Sequence, residues 1–245
     1  MNKKVLIEDL GRRDYKDTWD FQELLFKETV DQKIANRRQN AQHLTSNHLL
    51  FVEHDHVFTL GKSGDFSNLL VSNAELSEQK AAFYKINRGG DITYHGPGQI
   101  VGYPILDLDH FFSDIHKYLR FLEEIIILTL KDFSIRAERS SGETGVWLDV
   151  DTPKARKICA MGIRASRWVT MHGFALNVEP DMRYFDMMVP CGIQGKAVTS
   201  MKQELKDDCP TVDQVKEVIL KHFAQLFEVE FIPSDRSKGF FDRLG

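Results

Sequence analysis

Cysteine is scarce in this 245-residue sequence. There are three, Cys159, Cys191 and Cys209, and no C-x-x-C pair. An odd, small number in a chain of this length excludes a disulfide scaffold and predicts free thiols in a reducing, cytoplasmic setting. Long apolar runs are missing too. The densest, residues 125–130, is interrupted by charge on both sides and falls far short of the roughly 20 residues that cross a bilayer. The first residues carry two lysines but no apolar segment or cleavage site, so no signal peptide is expected. Basic residues do not exceed acidic ones: 32 against 36 give a net charge of −4. A global nucleic-acid footprint is thereby excluded. Repeats and low-complexity linkers are absent. What remains, 42% hydrophobic and 28% charged, is an ordinary globular mix long enough to bury a core.

Hydrophobic spacing predicts a helix over residues 14–36, with Tyr15, Trp19, Phe26, Val30 and Ile34 on one face. Ser113 is expected to cap a second helix through Ile115, Tyr118, Leu122, Ile125, Ile126 and Thr129. Thr211 with Gln214 forms a capping-box signal for a third, with Val212, Val215, Ile219 and Leu226 apolar. Strands are expected at 48–53, 57–60, 83–87 and 99–106. Three more, at 146–150, 157–165 and 169–178, read as an antiparallel group, and a short one is expected at 229–232. No regular βαβ alternation runs through the chain. The fold class is α+β, a mixed or mostly antiparallel sheet with helices packed on it. One domain over 1–245 is expected, with a small helix–strand unit at 211–232.

The most unusual segment is Arg88-Gly89-Gly90-Asp91-Ile92-Thr93-Tyr94-His95-Gly96-Pro97-Gly98-Gln99. Its glycines let a backbone approach a ligand closely, and its polar residues are more than a turn needs; the plainer reading is an elaborate hairpin loop. Gly61-Lys62-Ser63 resembles the end of a phosphate-binding loop, but His56 stands where that motif needs its first glycine, so no ATP site of this kind is supported. His54 and His56 could share a metal, yet no third ligand is evident at a telling spacing, and hydrogen-bonded or surface histidines are expected. Cys191, between Pro190 and Gly192, has an open approach and is the better nucleophile. Cys159, in an apolar strand, is the better structural cysteine. Lys157 opens that strand; it is either partly desolvated or simply snorkels to water.

Taken together, four ordered blocks resemble the octanoyltransferases that begin lipoate assembly (LipB type). They are Arg88–Gln99 followed by Tyr103-Pro104-Ile105, Lys157-Ile158-x-Ala160-x-Gly162, His172-Gly173-Phe174-Ala175-Leu176-Asn177, and Pro190-Cys191-Gly192-Ile193 with Val198-Thr199-Ser200. The resemblance spans roughly residues 10–227. Lys62 stands where the family more often has Arg, and Cys159 where a small residue is usual. The resemblance implies the fold of the biotin/lipoate ligase catalytic domain. It implies transfer of an octanoyl group from octanoyl-acyl-carrier protein to a lysine of lipoyl domains or of the glycine-cleavage H protein, with no cofactor, metal, nucleic acid or membrane involved. Cys191 would be the acyl-thioester nucleophile and Lys157 its acid/base partner. Arg88, Gly89, Gly90, Asp91, Ile92, Thr93, Tyr94, His95, Ala160, Met161, Gly162, Gly173, Phe174 and Ala175 would bind the acyl group.

This chemistry is self-consistent. A thioester donor is already activated and needs no ATP. A lysine amine, reference pKa ~10.4, is a stronger base than a cysteine thiolate, ~8.5, and so favours proton transfer from the thiol in water. Small residues would leave an apolar slot for the chain, and backbone N–H groups near Gly192 or in 88–95 could hold the oxyanion. Arg164, Arg167, Lys196 and Lys202 would form a basic rim for acidic protein partners. The competing readings are an ATP-dependent lipoate ligase, an amidotransferase between lipoyl domains, and a carrier-binding module without catalysis.

Overall fold

The computed structural model describes residues 1–189 and 197–244. In chain order the elements are β1 (Lys4–Arg13), α1 (Tyr15–Gln39), β2 (Asn47–His54), β3 (Val57–Leu60), α2 (Asn73–Glu78), β4 (Ala82–Lys85), β5 (Ile92–His95), β6 (Gln99–Ile105), α3 (Ile115–Asp132), β7 (Glu138–Ser140), β8 (Glu143–Leu148), β9 (Arg156–Ser166), β10 (Val169–Asn177), β11 (Ala197–Val198), α4 (Met201–Leu205), α5 (Val212–Phe227), β12 (Glu230–Pro233) and α6 (Arg236–Phe241). Among the described residues, nine strands make one mixed sheet in the order β12-β1-β2-β6-β10-β9-β8-β7, with β11 paired to β9. A second sheet, β4-β3-β5, sits apart from it. The architecture is the expected α+β. No helix among the described residues is long and apolar enough to cross a membrane.

Both faces of the main sheet are covered. Along β2 the side chains alternate, Leu49 and Phe51 to one core, Leu50 and Val52 to the other. The first core takes the apolar faces of α3 and α5, including Tyr118, Leu122, Ile126, Ile219 and Phe223. The second takes Phe21, Leu25 and Phe26 of α1. Each long helix begins on a side-chain cap. Asp14 accepts from Asp17 N–H, and Thr211 with Gln214 forms the expected capping box. The α3 cap is Asp114 rather than Ser113. Asp114 accepts from Lys117 N–H, while the Ser113 hydroxyl donates to Asp109.

Sequence periodicity passed over several elements, β1, β5 and α2 among them. β1 is not alternating, because parallel pairing with both β2 and β12 makes it an internal strand. β5 lies inside the glycine-rich segment and forms through antiparallel pairing with β3. α2 is a short turn of helix with its own Ser72–Glu75 capping box. The C-terminal helix–strand unit is continuous with the main sheet: α5 lies on the α3 core, and β12 pairs with β1.

β10 approaches β6 closely. A Cβ at Gly173 would lie 2.1 Å from the Gly102 carbonyl oxygen, a contact that only backbone movement relieves. Gly173→Ala is therefore expected to destabilise the protein by about 2 kcal/mol or more, read from urea denaturation midpoints at constant m-value.

Candidate active site

The site is built on a strand that changes partners midway. From Arg156 to Cys159, β9 pairs with β8. Beyond Cys159 no strand among the described residues pairs on its β8 side, while β10 pairs with it from Cys159 to Ser166. The ladder sets small residues opposite one another, Ala160 against Ala175 and Gly162 against Gly173, with Met161 against Phe174 between them. A cleft of about 440 Å³ is lined by these residues and by Leu119 and Ile163, so it wraps the open edge of β9. That volume suits a small acyl ligand.

The glycine-rich segment is a strap over that edge. Gly89 N–H donates to the Ile163 carbonyl at 2.9 Å and takes the place of a neighbouring strand. Lys62 N–H donates to Arg88 O, Gly61 N–H to Asp91 O, and the Ser63 hydroxyl to Gly90 O. Gly61 is obligatory in this weave, since a Cβ there would meet the Gly90 carbonyl oxygen at 2.2 Å. Arg88 is buried, and its guanidinium donates to the carbonyl and hydroxyl of Thr59. Asp91 accepts from Asn68. The predicted binding residues Arg88, Gly89, Gly90, Asp91, Ile92, Thr93 and His95 all line the cleft, as do Ala160, Met161, Gly162, Gly173, Phe174 and Ala175. Tyr94 does not. Alternation along β5 sends its ring the other way, to stack on Tyr184 and pack against Phe58 and Phe185.

A wall of buried rings closes the cleft. Tyr15, Tyr103 and His172 line it with His95, and His54 stands behind them. Hydrogen-bond partners fix the tautomers. His54 Nδ1–H donates to Arg13 O, so its Nε2 accepts from the Tyr103 hydroxyl at 2.8 Å. His95 Nδ1–H donates to Gln99 Oε1, which leaves Nε2 as an acceptor. His172 Nε2–H donates to Asn87 Oδ1. Burial holds all three neutral: it lowers His54 to about 4 and His172 to about 3, and drives His95 well below the usual range, helped by His54 and Arg88. His54 and His56 are both engaged in hydrogen bonds. His56 stacks on Tyr184 and bonds the Tyr94 hydroxyl, and no cluster of three or more candidate ligands occurs among the described residues.

Lys157 lies at the cleft, 7% exposed, with its Nζ 4.6 Å from the Trp147 ring centroid. Gly145 brings β8 in close beneath it, at a φ of +117° that other residues rarely adopt. On the other side, β11 pairs Val198 with Lys157. A smaller cavity, about 20 Å³, joins Lys157 to Met188, Val198, Gln99 and Asn177. Cys191 lies outside the described residues, as does Lys196. Cys159 is fully buried on the core side, and desolvation pushes its thiol up. Arg164 is ion-paired with Glu23 at 2.6 Å, and Arg167 occupies the turn between β9 and β10.

The sequence matches the lipoyl protein ligase A/B catalytic domain over residues 14–224. The chain belongs to that family. Two proteins named octanoyltransferase are similar along nearly their whole length. One from Christiangramia forsetii is 66% identical over 230 residues, covering 94% of this chain and 98% of the relative. One from Flavobacterium johnsoniae is 65% identical over 232 residues, covering 95% and 100%. Within the family the chain is thus an octanoyltransferase, an acyltransferase of lipoate biosynthesis. Solved lipoate ligases share its fold at low identity. A lipoate-protein ligase A bound with ATP has a TM-score of 0.69 at 14% identity, covering 100% of this chain and 94% of its own. A bipartite ligase from Thermoplasma acidophilum has a TM-score of 0.68 at 14%, covering 100% and 92%.

The octanoyltransferase motifs point to strap, floor and Lys157. They miss Trp147, and they do not show that Tyr15, Tyr103 and His172 meet. Those come from α1, β6 and β10, and each also fits its own hydrophobic pattern. The buried histidines make stability depend on pH. Above pH 6.5, the ordinary histidine value, folded and unfolded chains both keep these rings neutral. Below it the unfolded chain takes up protons that the folded chain refuses until about 4 for His54 and about 3 for His172. Stability is therefore complete above 6.5 and falls as pH drops toward 4, by a few kcal/mol in all, on the order of the linkage. Denaturant midpoints at pH 7 and pH 5 should show this fall, and His54→Gln should reduce it.

Proposed function

We propose that the enzyme takes the octanoyl group from octanoyl-acyl-carrier protein onto Cys191 as a thioester and passes it to a specific lysine of lipoyl domains or of the glycine-cleavage H protein. Lys157 acts as acid and base, and the reaction runs in the cytoplasm. The observation that carries this reading is the meeting of three features: the small-residue floor of β9 and β10, the buried Lys157, and Met188 and Val198 around one small cavity beside it. Met188 and Val198 belong to the stretches on either side of the cysteine motif.

The chemistry proceeds in two acyl exchanges. In the first, Lys157 accepts the Cys191 thiol proton, the thiolate adds to the donor carbonyl, and the carrier thiolate leaves with a proton. In the second, the acceptor amine adds to the enzyme thioester, Lys157 takes up a proton from the nitrogen, and the cysteine thiolate departs and receives that proton, restoring the thiol and the neutral amine. Burying six or so methylenes of the chain contributes roughly 5 kcal/mol at about 0.8 per CH₂. Backbone N–H groups of the strap are candidates for the oxyanion donor.

Intact mass after incubation with octanoyl-acyl-carrier protein should show one octanoyl adduct that Cys191→Ala abolishes. An adduct that persists in that variant, or turnover that needs free octanoate and ATP, would sink the reading. Ala160→Leu places a branched side chain on the cleft floor. It should raise KM for the octanoyl donor about ten-fold or more, with less effect on a hexanoyl donor, in steady-state comparison of the two.

A further inference from the structure

Two buried carboxamides near Lys157 have no part in the reaction as described. Gln99 is 1% exposed and Asn177 4%. Gln99 Nε2 donates to the Tyr94 carbonyl at 3.1 Å and to Asn177 Oδ1 at 2.9 Å, while its Oε1 accepts from His95. Asn177 Nδ2 donates to the Thr199 carbonyl at 2.9 Å. Thr199 N–H then donates to the Lys157 carbonyl, also at 2.9 Å. Every donor in this series meets an acceptor, so both amides have one orientation. The series runs without a break from His95 in the cleft wall to the backbone of Lys157.

Its destination needs support. β11 is two residues long, too short to hold its place by ladder bonds alone. Below it, the Thr199 hydroxyl donates to Glu204 at 2.6 Å, and Glu204 accepts from Nε and Nη2 of Arg156, next to Lys157. From the sheet, both the Asn177 carboxamide and the Lys157 carbonyl reach Thr199.

We propose that Asn177, oriented by Gln99, is a positioning residue for octanoyl transfer: its carboxamide holds the Val198–Thr199 stretch against Lys157. The inference rests on the Cys191/Lys157 reading. It couples the acyl-binding wall to the strand beside the lysine, because His95 and Lys157 stand at the two ends of one hydrogen-bonded series.

Asn177→Asp tests it at constant shape. The ionised carboxylate sets an acceptor against the Thr199 carbonyl, and burial beside that oxygen favours protonation. Once protonated, the carboxyl O–H can donate where the amide did. At pH 8 kcat should fall about ten-fold or more, with KM for the octanoyl donor within about two-fold. At pH 6 the deficit relative to the unsubstituted enzyme should shrink to about three-fold or less. Asn177→Ser, which loses the bond without gaining charge, should lower kcat by a similar ratio at both pH values. Unchanged kcat in the Ser variant overturns the proposal, as does an Asp deficit that ignores pH. If neither variant folds by near-ultraviolet circular dichroism, Asn177 is a stability residue and the proposal fails. Intact mass of the unsubstituted enzyme is read alongside. A missing Cys191 adduct defeats the thioester reading, whereas a normal adduct with unaffected Asn177 variants defeats the positioning role alone.

Discussion

The structure turns on the partner exchange along β9. Its first residues lie between β8 and β11, and its later ones have β10 on one side and, among the described residues, no strand on the other. An edge within a sheet leaves backbone groups unpaired, and these must find water, a ligand or another segment. Here the strap supplies Gly89 N–H to Ile163 O, and the cleft occupies the remaining space. Lys157 stands at the crossover point, held from both sides. Because the strand is continuous, Lys157 and the cleft-lining residues Ala160 to Ile163 share one backbone, which fixes the lysine relative to the cleft.

The electrostatics follow from the same enclosure. Desolvation keeps the histidines uncharged, and their hydrogen bonds commit each ring to one tautomer. Arg88 is the contrasting group, a buried cation whose partners include the carbonyl and hydroxyl of Thr59. The wall is therefore polar in its atoms yet carries no titrating ring at neutral pH. An uncharged ligand can pass such a wall without displacing a strongly hydrated charge.

Much of this was legible in the sequence where local physics decides. The 3–4 spacing of Tyr118, Leu122, Ile125 and Ile126, and the Thr211–Gln214 box, marked their helices because one apolar face and one cap suffice. β1 and β5 escaped because long-range pairing makes them strands: Val5 pairs with Asn47 and Phe231, and Thr93 with Thr59. Tyr94 shows the limit of a motif, since adjacent residues of a strand face opposite ways and a string of letters does not say which way is inward. The family blocks carried more than composition could, yet the wall of Tyr15, Tyr103 and His172 became a wall only when three elements met.

Cys159 is one bond along the strand from Ala160, which lines the cleft, but its sulfur belongs to the opposite face and the hydrophobic core. One step of pleat is an effective insulator. An electrophilic inhibitor carried into the cleft on a medium-length alkyl tail would find no competing target in Cys159, because reaching that sulfur would require opening the core. Selectivity for a covalent probe is thus written into the alternation of the strand and does not have to be engineered into the warhead.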